Sequence, residues 1–257
     1  MKVVILAGGF GTRLSEETVV RPKPMVEIGR EPILWHIMNI YSYYGYNEFV
    51  VCLGYKGDVI KDYFVNYYNM HSDLRVDLST GHIEAKLENR QKWIVDLIDT
   101  GLNTMTGGRL KRIEKYIDGN EFLMTYGDGV SDINISELVS FHRMHRKLVT
   151  MTAVQPEGRF GSLDIDNNSK VLDFDEKPPG DGRWVNGGFF VINKKALNFI
   201  GGDHTIWENE PLKELSHRGE LVAYRHHGFW KPMDTLSDKI ALEKLWSNGK
   251  APWKVWD

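Results

Sequence analysis

Residues 3–14 read Val3-Val4-Ile5-Leu6-Ala7-Gly8-Gly9-Phe10-Gly11-Thr12-Arg13-Leu14. The apolar run over 3–7 is short and stopped by two glycines, which predicts a buried strand followed by a tight loop. At the C-terminal edge of a sheet such a loop can turn successive backbone N–H groups outward. Glycines there let the backbone come close to an anion. Outward from this stretch, Ile33, Leu34, Ile37, Tyr41 and Tyr44 share one face of a helix predicted over 31–44, with Gly45 as its stop. Glu48–Leu53 predicts a second buried strand, closed by Gly54. Val59, Ile60, Tyr63, Phe64 and Tyr67 mark a helix over 58–67. Strand–helix–strand–helix order predicts an α/β fold with a mostly parallel central sheet flanked by helices.

The region 72–100 reads differently. Arg75-Val76-Asp77-Leu78 and Ile83-Glu84-Ala85-Lys86-Leu87 alternate on either side of Thr80-Gly81, which predicts a small β-rich excursion. Beyond it, Leu110, Ile113 and Ile117 are spaced for a helix. Residues 122–126 predict a strand ending in Gly127-Asp128-Gly129, Ile135, Leu138, Val139 and His142 a helix, and residues 149–154 a strand. A hairpin is expected over 162–175, strands over 187–192 and around Tyr224, and a helix through Leu236, Ile240 and Leu245. No repeat, low-complexity run or linker divides the 257 residues, so one domain is expected, with 236–257 as a C-terminal helix and Trp-rich tail.

Composition narrows the function classes. Hydrophobic residues make up 42% and charged residues 26%, ordinary globular values. Thirty-two Lys and Arg against 35 Asp and Glu leave a net charge of -3, without the basic excess of a nucleic-acid surface. The single cysteine, Cys52, excludes an intrachain disulfide and a multi-cysteine zinc site, and reads as an inert core thiol. No stretch approaches the ~20 apolar residues of a membrane span, and the N-terminal apolar run is too short for a signal peptide. No nucleic-acid or membrane partner is expected, and a cytoplasmic location is.

Three phosphate-binding forms compete for the glycine loop. A dinucleotide site of the form G-x-G-x-x-G would carry its third glycine where Leu14 stands, and an acidic residue where Leu53-Gly54-Tyr55 stands. A P-loop would need G-x-x-x-x-G-K-[ST], which is absent. What remains is a loop ending in Arg13, whose planar guanidinium suits a bidentate grip on a polyphosphate. Downstream, Arg21-Pro22-Lys23-Pro24-Met25 cannot be mid-helix, so Lys23 is expected in an extended, rigid segment.

The run L-A-G-G-x-G-T-R-L followed by P-K-P-M resembles the signature of the sugar-1-phosphate nucleotidyltransferases. Gly127-Asp128-Gly129, Glu176-Lys177-Pro178, Val185-Asn186-Gly187-Gly188 and Gly228-Phe229-Trp230 leading to Met233-Asp234-Thr235 agree in order and spacing. The resemblance covers nearly the whole chain. It implies the Rossmann-like nucleotide-diphospho-sugar transferase fold and an oligomeric protein. The Gly-Asp-Gly form, the loop Thr104-Met105-Thr106-Gly107-Gly108-Arg109 and the ending Ala251-Pro252-Trp253 are most similar to members that transfer a cytidylyl group to glucose 1-phosphate. CTP and glucose 1-phosphate are then the implied substrates, and Mg²⁺ the implied cofactor. UTP- or dTTP-dependent transfer and a catalytically silent sugar-nucleotide sensor are the alternatives. A sensor predicts lost metal or arginine positions, and Arg13, Lys23, Asp128 and Asp234 are all present.

The same resemblance implies residue roles. Arg13, Lys23, Asp128 and Asp234 would be catalytic, with Asp128 and Asp234 as metal ligands. Leu6, Ala7, Gly8, Gly9, Phe10, Gly11, Thr12, Arg13, Lys23, Thr104, Arg109 and Gly127 would surround the nucleotide. Tyr126, Gly161, Glu176, Lys177, Asn186 and Trp230 would face the sugar phosphate. By residue type alone Asp128 also suits a turn between glycines, and Asp234 or Thr235 a helix N-cap. Arg143, Arg146 and Lys147 around His142 and His145 suggest a solvated basic face in place of a metal pair. Trp246, Trp253 and Trp256 would cap the core or line an oligomer interface.

Overall fold

Strand β1 (Val3–Leu6) is buried along its whole length, and its side chains alternate between two apolar layers. Val3 and Ile5 enter one cluster, Val4 and Leu6 the other. The computed structural model describes residues 1–86, 91–156, 162–165, 169–175 and 183–256. Within these, β1 is joined by β2 (Glu48–Leu53), β3 (Ile94–Asp99), β4 (Glu121–Tyr126), β5 (Val149–Val154), β6 (Val185–Asn193) and β7 (Leu221–Arg225). They form one seven-stranded sheet in the order β7-β5-β6-β4-β1-β2-β3. Only β6 runs antiparallel to its neighbours, and every other pairing in this sheet is parallel. The mixed, mostly parallel sheet is as the strand–helix order predicts.

Both faces of the sheet are covered, as a parallel sheet requires. On one face lie α1 (Ile33–Tyr43), α2 (Gly57–Met70), α4 (Ile135–His145) and α6 (Leu236–Ser247). On the other lie α3 (Thr106–Arg112) and α5 (Glu210–His217). Helix α1 starts at Ile33 because Pro32 is held extended and acts as its N-cap residue. The β-rich excursion is narrower than its sequence suggests. Only the hairpin of Asp73–Asp77 with His82–Lys86 stands apart. Ile94–Asp99 pairs with β2 instead, as the sheet edge, because Val95 and Leu97 pack on the same cluster as Phe49 and Val51.

Three further expectations meet the packing. His142 is buried, not solvated: α4 turns it onto the sheet, where its Nδ1 lies 2.9 Å from Thr150 Oγ1. Burial pushes its pKa down. His145 turns its own Nδ1 to the Phe141 carbonyl at 2.9 Å, so the two rings do not act as a pair. Cys52 is buried in β2, and burial pushes its thiol up to about 12. The tail packs back on α1. Trp253 is fully buried, stacks on Phe229 at 5.6 Å and on Trp246 at 6.3 Å, and approaches His36 Nδ1 through its ring N–H at 3.3 Å. Trp256 meets Trp35 edge-on at 5.7 Å. The tryptophans therefore cap the core of their own chain. Among the described residues no helix is long and apolar enough to cross a membrane.

Candidate active site

A cavity of about 460 Å³ opens beyond the C-terminal ends of β1 and β4. That is the size of a small-ligand site. The glycine loop forms one wall, residues 102–106 another, and Lys23, Tyr126, Gly127 and Asp128 the floor and mouth. Every residue expected around the nucleotide lines it.

The loop is placed by backbone first. Ala7 N donates to Cys52 O at 3.1 Å and Tyr55 N to Gly8 O at 3.2 Å, after which the chain leaves the sheet. Gly11 turns it with φ of 65°, in the left-handed region glycine favours. A Cβ there would lie 2.8 Å from the Thr18 methyl. The single 3₁₀ turn Thr12–Leu14 then separates two neighbours: Leu14 is fully buried, while the Arg13 side chain is 69% exposed. Leu14, which occupies the dinucleotide motif's third glycine position, is thus core.

Arg109 lines the cavity in a role its residue type did not announce. Its guanidinium is buried and donates to Leu53 O (2.9 Å), Thr100 Oγ1 (2.7 Å), Gly8 O (3.0 Å) and Leu102 O (3.3 Å). It braces the glycine loop against β2 and the 102–106 wall. Thr104 is buried in the same wall. A methyl group at Gly8 would meet Arg109 Nη1 at 2.1 Å. The guanidinium cannot retreat without leaving carbonyls unpaired. Gly8→Ala is therefore expected to cost about 1–3 kcal/mol of stability and to abolish thermal stabilisation by nucleotide. A wild-type melting curve with an intact nucleotide shift would remove the brace.

Lys23 is not extended. Pro22 is, but Lys23 opens a 3₁₀ turn, Lys23–Met25, which tolerates Pro24 near its start because the first N–H groups of a turn have no partner to lose. Lys23 is 8% exposed, and its ammonium bonds to Asp128 Oδ2 at 2.7 Å and Asp234 Oδ1 at 2.6 Å. Arg13 Nη1 bonds to the other oxygen of Asp234 at 2.7 Å. The two aspartates meet because the strand Gly129–Ser131 pairs antiparallel with Trp230–Pro232, and Met233 N donates to Asp128 O at 2.8 Å. Thr235, not Asp234, caps α6 in a capping box with Asp238, which leaves the Asp234 carboxylate for the cations.

Asn186 and Trp230 stand beyond Tyr126, outside the cavity lining. Asn186 Nδ2 donates to the Tyr126 hydroxyl at 3.3 Å, and the Trp230 ring N–H to Gly187 O at 2.6 Å. Gly161, Glu176 and Lys177 lie outside the described residues. Two contributors carry no motif in the sequence. Tyr55 packs its ring against Phe10 of the loop at 5.4 Å, and Glu208 accepts from both Thr106 and Tyr126.

Chemically, a near-buried ammonium, an exposed guanidinium and two carboxylates converge at one end of an anion-sized cleft. Among the described residues no group of three or more His, Cys, Asp and Glu side chains forms a metal shell. Two carboxylates reached by one ammonium do suit Mg²⁺, which takes hard oxygens and usually only one or two from protein, the rest coming from phosphates and water.

The comparisons with known proteins agree with this geometry. Residues 2–231 match the family model described as "Nucleotidyl transferase". Over the full length of both chains, 55% of residues are identical to a Salmonella typhimurium protein named glucose-1-phosphate cytidylyltransferase. The figure is 44%, again over both full lengths, for a Bacillus subtilis protein named probable glucose-1-phosphate cytidylyltransferase. The crystal structure of HddC from Yersinia pseudotuberculosis is similar with a TM-score of 0.69 at 25% identity, covering 95% of this chain and 99% of that one. With the glycine loop, Arg13, Lys23, Asp128 and Asp234 gathered at one cleft and identity running from end to end, the chain belongs to the nucleotidyl transferase family, among its sugar-1-phosphate nucleotidyltransferases.

Proposed function

We propose that this chain transfers a cytidylyl group from CTP to α-D-glucose 1-phosphate, forming CDP-glucose and pyrophosphate. The observation that carries the reading is the Lys23 ammonium shared by Asp128 and Asp234 at the mouth of the glycine-loop cavity. The base and sugar come from the relatives' names. A phosphate oxygen of the sugar phosphate forms a bond to the α-phosphorus of CTP. The bridging α–β P–O bond breaks, and pyrophosphate leaves with the electron pair. The nucleophile is already an anion, so no general base is required. The protein's work is to align two polyanions and neutralise them.

The residue roles follow from that task. Backbone N–H groups of residues 8–11 face the phosphates, with Leu6, Ala7, Phe10 and Thr12 shaping the wall beside Thr104 and Gly127. Arg109 keeps that wall in place. Lys23 exchanges its carboxylates for the α-phosphate, and Arg13 grips the departing phosphates from the exposed side. Asp128 and Asp234 would hold Mg²⁺, which would supply positive charge to offset that of the phosphates. Tyr126, Asn186 and Trp230 face the sugar phosphate, together with Gly161, Glu176 and Lys177. Dependence on CTP places the reaction in the cytoplasm. The self-association implied by the family resemblance belongs to this reading and is measured by light scattering.

Pyrophosphate release with glucose 1-phosphate and each of CTP, UTP, dTTP and ATP tests the proposal. CTP is expected to exceed the others in kcat/KM by at least about tenfold. Equal rates with UTP or dTTP would overturn the base assignment. Binding without turnover of any nucleotide would point to the sensor.

A further inference from the structure

Glu208 lies in no sequence motif, yet it joins the two halves of the site. It sits between the buried Trp207 and the start of α5. Its Oε2 accepts from Thr106 Oγ1 at 2.6 Å, in the wall of the cavity, and its Oε1 accepts from the Tyr126 hydroxyl. An ionised carboxylate only accepts, so the Tyr126 proton is committed to Glu208. Burial, and then the charge of Glu208, push the Tyr126 phenol well up, which keeps it a neutral donor.

With its proton spent, the Tyr126 oxygen is an acceptor, and Asn186 Nδ2 donates to it at 3.3 Å. At the other end of the amide, Asn186 Oδ1 accepts from Gly188 N at 2.8 Å. The amide is therefore oriented from both sides: flipped, it would set two donors against each other at Gly188. One Nδ2 hydrogen is left uncommitted by these bonds.

We propose that Glu208 is a positioning residue for the sugar-phosphate half of the site: through Tyr126 it holds the Asn186 amide with its spare N–H toward an oxygen of the sugar phosphate. This rests on the cytidylyl-transfer reading. Without Glu208 the Tyr126 proton has no committed acceptor and the Tyr126 oxygen is no longer held for Asn186 Nδ2, so the amide keeps its sense from Gly188 but loses the bond that sets the direction of its spare N–H.

Steady-state kinetics and calorimetric binding of glucose 1-phosphate to wild type, Glu208→Ala, Glu208→Gln, Tyr126→Phe and the Glu208→Ala/Tyr126→Phe double variant test this. Glu208→Ala is expected to raise both the Kd and the KM for glucose 1-phosphate about tenfold, the loss of one oriented hydrogen bond, with the KM for CTP within about twofold. The double variant should be no worse than Tyr126→Phe alone, since both cut one chain of bonds. Glu208→Gln should recover most of the affinity, because its carbonyl still accepts the Tyr126 proton while its amide donates to Thr106. Should Glu208→Ala fail to fold, Glu208→Asp, one methylene short of Tyr126, replaces it in the cycle. Equal rises in both KM values, additive losses in the double variant, or unchanged binding in Glu208→Ala would overturn the inference. Wild type that binds glucose 1-phosphate without turnover would count against the cytidylyl-transfer reading alone. Wild type that does not bind it would overturn both.

Discussion

Asp234→Asn is expected to lower kcat for pyrophosphate release by about 10²–10³-fold, the usual size of losing one preorganised electrostatic group at the reacting centre. The change is nearly isosteric. It leaves Thr235 and Asp238 to cap α6, so the backbone that carries the residue keeps its support. What it removes is the charge that Arg13 and Lys23 share at 2.7 Å and 2.6 Å. It also removes one of the two carboxylates that suit a metal. The two cations then meet the triphosphate with less competition. Nucleotide binding measured without Mg²⁺ should therefore hold or tighten while turnover falls. Parallel melting curves check that the fold survives. Turnover within a few-fold of wild type, in a folded protein, would take Asp234 out of the mechanism.

Trp253→Ala carries the largest expected loss of stability, about 3–5 kcal/mol, as for other large-to-alanine changes in a closed core. In a chain of this size that is a fall in Tm of about 10 °C. Trp253 is fully buried, with Phe229 and Trp246 both stacked on its ring and His36 at its ring nitrogen. Phe229 extends the consequence to the site. Its carbonyl accepts from Ser131 Oγ at 2.8 Å and Asp132 N at 3.2 Å, at the end of the two-stranded ribbon that brings Asp128 to Asp234. Activity should thus fall more steeply with temperature than in wild type. Thermal melts and a temperature series of initial rates read both effects. A Tm shift below about 3 °C would show that the tail is not part of the core.

Much of this was legible in the chain. Residues 3–7, 48–53 and 122–126 are apolar runs short enough for strands and long enough to be buried on both faces, and all three form adjacent parallel strands. The residues expected around the nucleotide, from Leu6 to Gly127, line one cavity together with Asp128. The misread positions share a cause. His142 sits among basic neighbours in sequence, but helix geometry turns it toward Thr150. Ile94–Asp99 follows a hairpin in sequence, but its apolar side chains find a better partner in β2. Arg109 does line the cavity where the nucleotide was expected, but its contacts were not legible: four oxygens drawn from three other segments of the chain absorb its charge.

The glycine loop opens on a buried strand and ends at an arginine, and sequence alone determined that much. Backbone stereochemistry and the period of burial act over a few residues and leave their mark in order. Tertiary structure alone decided which side chains share a proton or a charge. Lys23, Asp128 and Asp234 meet through a strand pairing that spans more than a hundred residues, and Glu208 reaches Tyr126 across the cleft. Such contacts depend on sheet register and side-chain direction, which no local stretch of this sequence encodes.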